Sequence, residues 1–224
     1  MTPDTPPPRT VYDRIATHFA ATREHPWPEV EAFVDERVPA GSERALDLGC
    51  GNGRHAGLLA ERVRRVVGVD ASGELLRVAA DRAAERGFAG AFAPVVGDAA
   101  APPLRDDAFD AAVYVATVHH LRPRARRGRS LDELARVLRP GAPALVSAWS
   151  VAHDRFDADA GFDTTVDWTL PDGETVPRFY HVYDRDEFEA DLGRSALAVA
   201  ETFVSAGNCY AVVRGPPPDE RPVG

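Results

Sequence analysis

The stretch "ALDLGCGNG", which begins at Ala45, constrains the fold more than any other part of the chain. It reads as a buried strand that runs directly into a glycine loop, and helical periodicity follows the loop. Glycines allow a tight backbone turn close to a ligand, and in such sheets ligands bind beyond the carboxyl ends of the strands. A dinucleotide fingerprint would place its third glycine at position 54, which holds Arg54. The loop instead has the spacing G-x-G-x-G, from Gly49 to Gly53.

Strand and helix patterns alternate along most of the chain. The strand segments "RRVVGVD", "FAPVVGD", "AFDAAVYVATV" and "APALVSAWS" are separated by helical segments, and "LAVAETFVSAG" and "NCYAVVRG" read as a closing antiparallel pair. This order predicts an α/β fold with a mostly parallel sheet covered on both faces. One helix is expected to begin at Ser130, where Glu133 completes a capping box. We expect a single domain over residues 11–214, with an insertion around 151–191, between disordered proline-rich segments at 1–10 and 215–224.

Composition narrows the classes of function. The chain has a net charge of −9, and all 26 of its basic residues are arginine. Global acidity argues against indiscriminate nucleic-acid binding, so binding of RNA would need a local basic patch. Cys50 and Cys209 are too few for a four-thiolate zinc site or a disulfide framework, and we expect no metal. The sequence shows no signal peptide and no apolar stretch long enough to cross a membrane, which predicts a cytoplasmic protein.

Acidic residues stand at or near the ends of three predicted strands. Asp47 lies in the strand before the glycine loop, Asp70 ends the next strand, and Asp98 follows the third. At the end of the second strand, an acidic side chain can accept hydrogen bonds from ribose hydroxyls. The alternative is a Rossmann-like sheet that binds nothing, in which Asp47 and Asp70 serve as helix caps.

The glycine loop and these acids, each at a strand end and in this order, resemble class I S-adenosylmethionine methyltransferases, with "ALDLGCGNG" as motif I. The resemblance implies a Rossmann-like class I methyltransferase fold, with a mostly parallel seven-stranded sheet, helices on both faces and an antiparallel closing strand. It also implies S-adenosyl-L-methionine as the cofactor and Asp98 at the adenine edge. The residues expected to bind the cofactor are Asp47, Gly49, Cys50, Gly51, Asn52, Gly53, Asp70, Ala71, Asp98, Ala99 and Val115.

Four further segments carry a narrower resemblance. "YDRIATHFAATREHPWPEVEAF", "VYVATVHHL", "RRGRSLDELARVLRPG" and "RFYHVY" together resemble the wobble-uridine carboxymethyl methyltransferases of tRNA. The resemblance covers nearly the whole chain. It implies esterification of the carboxylate of 5-carboxymethyluridine at the first anticodon position. The sequence departs from that family at Asn208, which is followed by Cys209 where the family has tryptophan.

A carboxylate nucleophile needs orientation more than it needs a general base. It is ionised at neutral pH, and its oxygen must be aligned with the methyl carbon and the sulfur of the cofactor. Arginine suits this task because its planar fork can donate two hydrogen bonds to one carboxylate. We therefore expect Arg23 and Arg178 to orient the carboxylate and His119 to donate a hydrogen bond to it or to the uracil.

Aromatic residues in the same segments are candidates for contacts with the flipped base. Trp27 or Tyr180 would stack on it, as in single-stranded RNA recognition, and His120 is a further candidate contact. Structural alternatives remain open: Trp27 as a plug between two prolines, His120 as a packing residue, and Tyr180 on a strand with one core face. Arg23 has the alternative of a surface ion pair with a neighbouring glutamate.

The segment "RPRARRGR", residues 122–129, is a local exception to the acidity of the chain, because five of its eight residues are arginine. We expect Arg126 and Arg127 to contact phosphates of the tRNA anticodon arm. The alternative is a solvated loop and helix start, where cations oppose the helix dipole.

The strand near Phe92–Val96 is expected at an edge of the sheet, apolar and without a charge to protect it from pairing. The resemblance implies a small zinc-binding methyltransferase activator protein that adds a strand to this edge, giving a heterodimer. Pro94 removes one hydrogen-bond donor there.

Two rival functions remain open at this point. A small-molecule methyltransferase would act on a metabolite carboxylate or hydroxyl with the same cofactor site, and it would have no need of the arginine run or of "RFYHVY". A non-catalytic cofactor-binding subunit is disfavoured by the intact glycine loop with Asp70 and Asp98.

Overall fold

The computed structural model describes residues 5–217, which form a seven-stranded sheet with helices on both faces and a separate two-stranded sheet. The strands are β1 (Ser42–Leu48), β2 (Val63–Asp70), β3 (Phe92–Val96), β4 (Ala111–Tyr114), β5 (Pro143–Trp149), β6 (Phe162–Thr169), β7 (Thr175–Val182), β8 (Ala198–Ser205) and β9 (Asn208–Arg214). The helices are α1 (Pro8–Thr22), α2 (Pro28–Arg37), α3 (Ala56–Ala60), α4 (Gly73–Glu85), α5 (Arg124–Val137) and α6 (Arg185–Arg194), with a 3-10 turn at Val118–His120.

The strand order of the large sheet is β3-β2-β1-β4-β5-β9-β8. The first five strands in this order pair in parallel, whereas β9 is antiparallel to both β5 and β8. The expected mostly parallel seven-stranded sheet with an antiparallel closing strand is thus confirmed. The strand order reverses between β1 and β4, so the loops that follow these strands separate and leave a crevice at the carboxyl end of the sheet.

Apolar clusters cover both faces of the sheet. On one face, α5 and α6 pack through residues such as Leu134 and Leu192. On the other face, α2, α3 and α4 contribute Phe33, Leu59 and Ala79. The sheet is therefore buried on both sides, which leaves its carboxyl edge as the place for a site.

Two expected element boundaries were wrong. Helix α5 begins six residues before Ser130, directly after Pro123, so Ser130 lies in its interior and is no N-cap. The buried Ser130 hydroxyl instead donates to the Arg127 carbonyl (2.8 Å) and accepts from the Tyr114 hydroxyl (2.9 Å), which ties the helix to β4. Strand β4 is shorter than expected, because Ala116 adopts a φ of +51°, outside the range of strands.

The insertion at 151–191 contains regular secondary structure, although no clear pattern is visible in its sequence. Strands β6 and β7 form an antiparallel hairpin, and α6 follows. The Tyr183 amide donates to the Trp149 carbonyl (2.9 Å) at the carboxyl end of β5, so the hairpin stands above the carboxyl edge of the large sheet. Trp168 and Val176 of the hairpin pack against Ile15 of α1 in a third apolar cluster.

The two terminal segments that were expected to be disordered are shorter than predicted. Residues 8–10 form the first turn of α1. At the other end, the Gly215 amide donates to the Ala142 carbonyl (3.0 Å) in the turn before β5. Residues 1–4 and 218–224 lie outside the described residues. Within residues 5–217, every helix is too short or too polar to cross a membrane.

Candidate active site

The glycine loop after β1 adopts a turn that side chains would prevent. Gly49 has a φ of +73°, and a Cβ atom there would lie 2.2 Å from the Oγ1 of Thr117 in the loop after β4. The Gly49 and Cys50 amides both donate to the Val69 carbonyl at the end of β2 (2.7 and 3.0 Å). Gly51 has a φ of +54°. The turn is thus fixed against both neighbouring strands and exposes bare backbone at the crevice.

The Asp70 carboxylate closes this loop. One oxygen accepts from the Gly51 amide (2.8 Å) and the other from the Ser72 amide (2.8 Å) at the start of α4. Burial raises the pKa of Asp70, and these backbone hydrogen bonds act in the opposite direction. The geometry is compatible with both roles expected for Asp70, the ribose contact and the helix cap. The carboxylate lies at the crevice, and it also holds the backbone of the loop and the start of the helix.

Asp47 lies under the loop in a much less polar environment. Its side chain is 1% exposed, and its Oδ2 has no hydrogen-bond partner among the described residues. Burial, and to a smaller extent the nearby Asp70, raise the pKa of Asp47 to about 7. An unsatisfied carboxylate oxygen at this position favours a cationic ligand above it.

A cavity of about 560 Å³ opens between the glycine loop, the ends of β2, β3 and β4, and helix α1. All of the residues expected to bind the cofactor line it except Asp47 and Gly53. Gly53 has a packing role, because a Cβ atom there would lie 3.1 Å from the Cβ of Ala79 on α4. The Asn52 side chain is turned away from a direct ligand role, because its amide donates to the Arg23 carbonyl (2.8 Å).

Several cavity residues were not expected from the sequence. Tyr12 and Phe19 of α1 line the cavity, as do Arg54, His55 and Thr117. The helical spacing of apolar residues in α1 predicted a helix, but it did not indicate that the helix covers the crevice. That placement depends on the packing of α1 against α4 and the hairpin, which no local pattern encodes.

Arg23 and Arg178 come together on one aromatic ring. The guanidinium carbons lie 5.5 Å and 4.8 Å from the centre of the Trp168 ring, within the range of cation–π contacts. Arg178 is 9% exposed, and its Nε has no partner among the described residues. Neither arginine forms an ion pair with a carboxylate in the described part of the chain, whereas many other arginines do. Trp168, from the insertion, is a site residue that the sequence did not reveal.

The two adjacent histidines have different hydrogen bonds. The His119 Nδ1 accepts from the Trp149 amide (2.9 Å), which leaves its proton on Nε2 as a donor. The His120 Nδ1 lies 2.9 Å from the Phe179 carbonyl, to which it donates, and its Nε2 accepts from the Tyr12 hydroxyl (2.9 Å). Burial lowers the pKa of His119 well below the usual value and that of His120 to about 4, so both are neutral. Both nitrogens of His120 thus have protein partners, although the residue lines the cavity, and its expected substrate contact stays a prediction.

The two proposed stacking residues both have protein contacts, and their stacking on a base stays a prediction. Trp27 is half-buried against the core under α2, with the Arg54 guanidinium 4.9 Å from its ring centre. Tyr180 is buried, with its ring 5.0 Å from His119 and 4.8 Å from Trp149.

Of the two arginines expected to contact phosphate, Arg127 is corrected because it is buried, whereas the contact of the partly exposed Arg126 stays a prediction. Arg126 forms an ion pair with Asp98 at the wall of the cavity. Arg127 is 4% exposed, 5.5 Å from the Tyr183 ring and 3.7 Å from Glu187. Because residues 122–129 include the start of α5, helical geometry turns Arg127 toward the core and Arg126 toward the cofactor cavity.

The site suits a nucleoside cofactor that carries a cationic sulfur. The cavity volume falls within the usual range of ligand pockets. Asp47 and Asp70 place negative charge beside the bare backbone of the glycine loop, where a sulfonium would be stabilised. Within residues 5–217, no three His, Cys, Asp or Glu side chains are grouped to hold a metal ion.

The fold, the glycine loop and the acids at the strand ends define a class I S-adenosylmethionine-dependent methyltransferase. A family model described as "Methyltransferase domain" matches residues 46–146. The tRNA (carboxymethyluridine(34)-5-O)-methyltransferase of Schizosaccharomyces pombe is 32% identical over 229 residues, which cover 90% of this chain and 93% of that protein. The chain belongs to this methyltransferase family.

Other similarities are partial or concern the fold alone. The mouse tRNA (carboxymethyluridine(34)-5-O)-methyltransferase ALKBH8 is 38% identical over 144 residues, or 64% of this chain. The chain spans 20% of the length of that relative. Among solved structures, the [4+2]-cyclase SpnF has a TM-score of 0.72 at 19% identity, with 96% of this chain and 98% of that one covered. A putative methyltransferase in complex with the Trm112 activator of Haloferax volcanii has a TM-score of 0.67 at 17% identity, covering 93% and 97%.

Proposed function

We propose that the protein esterifies the carboxylate of 5-carboxymethyluridine at the wobble position of tRNA. The observation that carries this proposal is the pair of guanidiniums, Arg23 and Arg178, gathered on Trp168 without a carboxylate partner in the described residues. Arg23 lies beside the glycine loop, since Asn52 of that loop donates to its carbonyl. The names of the relatives support the same substrate, and they do not favour a small-molecule methyltransferase or a non-catalytic subunit.

The side chains match the needs of a carboxylate nucleophile. When bound, S-adenosylmethionine supplies a methyl group, which forms a bond to the carboxylate oxygen as the bond from carbon to sulfur breaks. The carboxylate has no proton that must be removed, so the reaction needs no general base. His119 agrees with this, because it is neutral, its Nδ1 accepts from the Trp149 amide, and its Nε2–H can donate a hydrogen bond. Arg23 and Arg178 then orient the anion.

The charge balance sets a limit on how tightly the arginines hold the substrate. Anion and sulfonium give a neutral ester and a neutral thioether, so a very tight clamp would stabilise the ground state more than the transition state. Arg23 is exposed and its guanidinium also donates to the Thr22 carbonyl (3.0 Å), while Arg178 is buried. A contact with the buried Arg178 and one with the exposed Arg23 would orient the carboxylate and leave one of its oxygens free to attack the methyl group.

Transfer of labelled methyl groups tests this function. The protein is incubated with labelled cofactor and tRNA from a strain that lacks the ester, and mild base is then applied. Release of the label is expected, because esters hydrolyse under these conditions; a base-stable product would contradict the carboxylate assignment.

Arg178→Lys tests the clamp. Lysine keeps the charge but loses the planar fork, so kcat/KM should fall by about 10- to 100-fold. The matched control is Arg64→Lys, because Arg64 is exposed on β2 and pairs with Glu43, away from the site. Equal activity of the two variants would remove Arg178 from the mechanism.

We also propose that a small zinc-binding activator protein adds a strand to β3, which lies at the edge of the sheet. Ala91 and Gly97 hydrogen-bond to β2, so by alternation Phe92, Pro94 and Val96 present their backbone groups outward. The Phe92 amide is bonded within the preceding turn and Pro94 has no N–H, which leaves the Val96 N–H as the outward donor of this strand. The complex of the Haloferax volcanii relative in fold supports such a partner.

A further inference from the structure

The loop at residues 23–27, between α1 and α2, gathers three guanidiniums. Arg23 is its first residue, and Arg54 lies with its guanidinium carbon 4.9 Å from the ring centre of Trp27, the last residue. Arg82 of α4 donates through Nη1 to the Glu24 carbonyl (2.8 Å). One short loop thus brings its own first residue together with cations from the segment after the glycine loop and from α4.

These three guanidiniums lack the direct ion pairs with carboxylates that many other arginines of this chain form. In the described residues, none of the three guanidiniums forms an ion pair with a carboxylate. By contrast, Arg77 on the same helix as Arg82 pairs with Glu74 (2.8 Å), and Arg86, directly after that helix, pairs with Glu24 (3.0 Å). In a chain with 35 acidic residues, three neighbouring cations that Glu24, Glu85 and Asp47 oppose only without direct ion pairs indicate that further counter-charge comes from outside the chain.

The electrostatics of Arg54 support this reading. Burial first, and then the neighbouring Arg23 and Arg82, lower its pKa to about 10, and Asp47 partly opposes this lowering. Arg54 therefore remains charged at neutral pH, at a cost in free energy that a bound anion would relieve.

We propose that Arg54 and Arg82, next to Arg23, bind a phosphodiester of the RNA strand that flanks the target nucleotide. This inference rests on the proposed function, since it takes the RNA as the ligand and names where its backbone lies. A guanidinium fork binds phosphate oxygens through two parallel hydrogen bonds. A nucleotide whose carboxylate meets Arg23 and Arg178 at the Trp168 ring would place its backbone near the loop at 23–27, because Arg23 is the first residue of that loop.

The carboxylate of the cofactor is a second source of the same ligand chemistry. Arg54 lines the cofactor cavity, but Arg23 and Arg82 do not. One carboxylate inside the cavity would leave the outer cations without a partner, which favours the RNA backbone. The experiment therefore measures binding of both ligands.

The test measures binding of a synthetic anticodon stem-loop with 5-carboxymethyluridine over a series of salt concentrations. Arg82→Gln should weaken binding roughly fivefold at low salt and reduce the slope of log affinity against log salt by about one. Arg54→Gln should reduce the slope similarly, and Arg82→Lys should restore it. Arg77→Gln, with the same charge change on the same helix, should leave the slope unchanged. Cofactor affinity of Arg82→Gln should equal that of the wild type.

Two results would overturn the phosphate site. The first is an unchanged slope in both Arg54→Gln and Arg82→Gln, since a role confined to holding the loop would not alter counterion release. The second is a loss of cofactor affinity in Arg82→Gln without a change in slope. Either result leaves the proposed function intact, because ester formation by the wild type is measured separately and its absence would count against that function alone.

Discussion

At the scale of single residues, Asp47 is a buried side chain of the site whose ionised form is unfavourable. A buried strand position two residues before a glycine turn would ordinarily hold an apolar side chain. The carboxylate there has an oxygen without a partner in the described residues, and burial raises its pKa to about 7. Groups with such shifts concentrate at functional sites, since the cost is recovered when the ligand binds.

Asp47→Asn should change the pH dependence of stability. The folded state binds the proton of Asp47 more tightly than the unfolded state does, so stability falls as pH rises from about 4 to about 7 and is constant above that. Asparagine has no such proton. The wild type should lose stability between pH 4 and pH 8, whereas the variant should not. The difference in the free energy of unfolding, variant minus wild type, should therefore rise by on the order of 3 kcal/mol over this range.

Urea unfolding of both proteins at several pH values measures this difference. The buried His119 and His120 contribute an opposite trend, because their lowered pKa values make stability fall as pH drops below about 6.5. That trend is common to both proteins and cancels in the comparison. A difference in stability that does not vary with pH would contradict the raised pKa of Asp47.

At the scale of elements, the hairpin of β6 and β7 completes the substrate side. It supplies Trp168 and Arg178, and it packs against α1, which ends one residue before Arg23. The Trp168 Nε1–H donates to the His18 Nδ1 of α1 (3.1 Å). The hairpin and α1 therefore act as a pair, and the indole fixes where both guanidiniums lie.

Trp168→Leu should raise KM for the RNA substrate by about tenfold while cofactor affinity stays unchanged, because both guanidiniums lose a cation–π contact of about 0.5–1 kcal/mol each. Trp168→Phe keeps a ring and should show a smaller change. Steady-state kinetics and cofactor titration on folded protein provide these values. The control is Phe203→Leu, which removes a ring that stacks on Tyr210 and has no cation–π contact among the described residues. A similar rise in KM in the control would assign the effect to general loss of packing.

At the scale of the whole molecule, the two edge strands of the sheet differ because only one of them borders the cofactor cavity. Strand β3 borders the cofactor cavity, since Val96 lines it and is 57% exposed. Strand β8 forms the other edge, with Val204 40% exposed. An added strand at β3 would both cover an apolar edge and support the wall of the cofactor site, which β8 does not border.

Val96→Glu should weaken binding of the proposed activator at least tenfold, because a charge would be buried at the new strand pair. Val204→Glu makes the same change at the opposite edge and should have no effect. Co-purification and titration of the two proteins measure this, with cofactor binding as a check on folding. A monodisperse protein that is fully active without a partner would contradict the heterodimer.

The sequence by itself determined the parts of this protein that depend on local pattern. Apolar runs, the glycine spacing around Gly49 and Gly51, and acids such as Asp70 at strand ends act within a few residues of one another, so their order along the chain implied the sheet and the cofactor loop. The comparison with relatives agrees with that part of the prediction.

Only the tertiary structure decided which side chains meet in front of that loop. Trp168 and Arg23 are distant in sequence and meet because the hairpin packs on α1, whereas Arg127 is turned inward by the start of α5. His119 and His120 look equivalent in sequence and differ only in their partners. Such contacts follow from packing among distant elements, and periodicity along the chain carries no record of them.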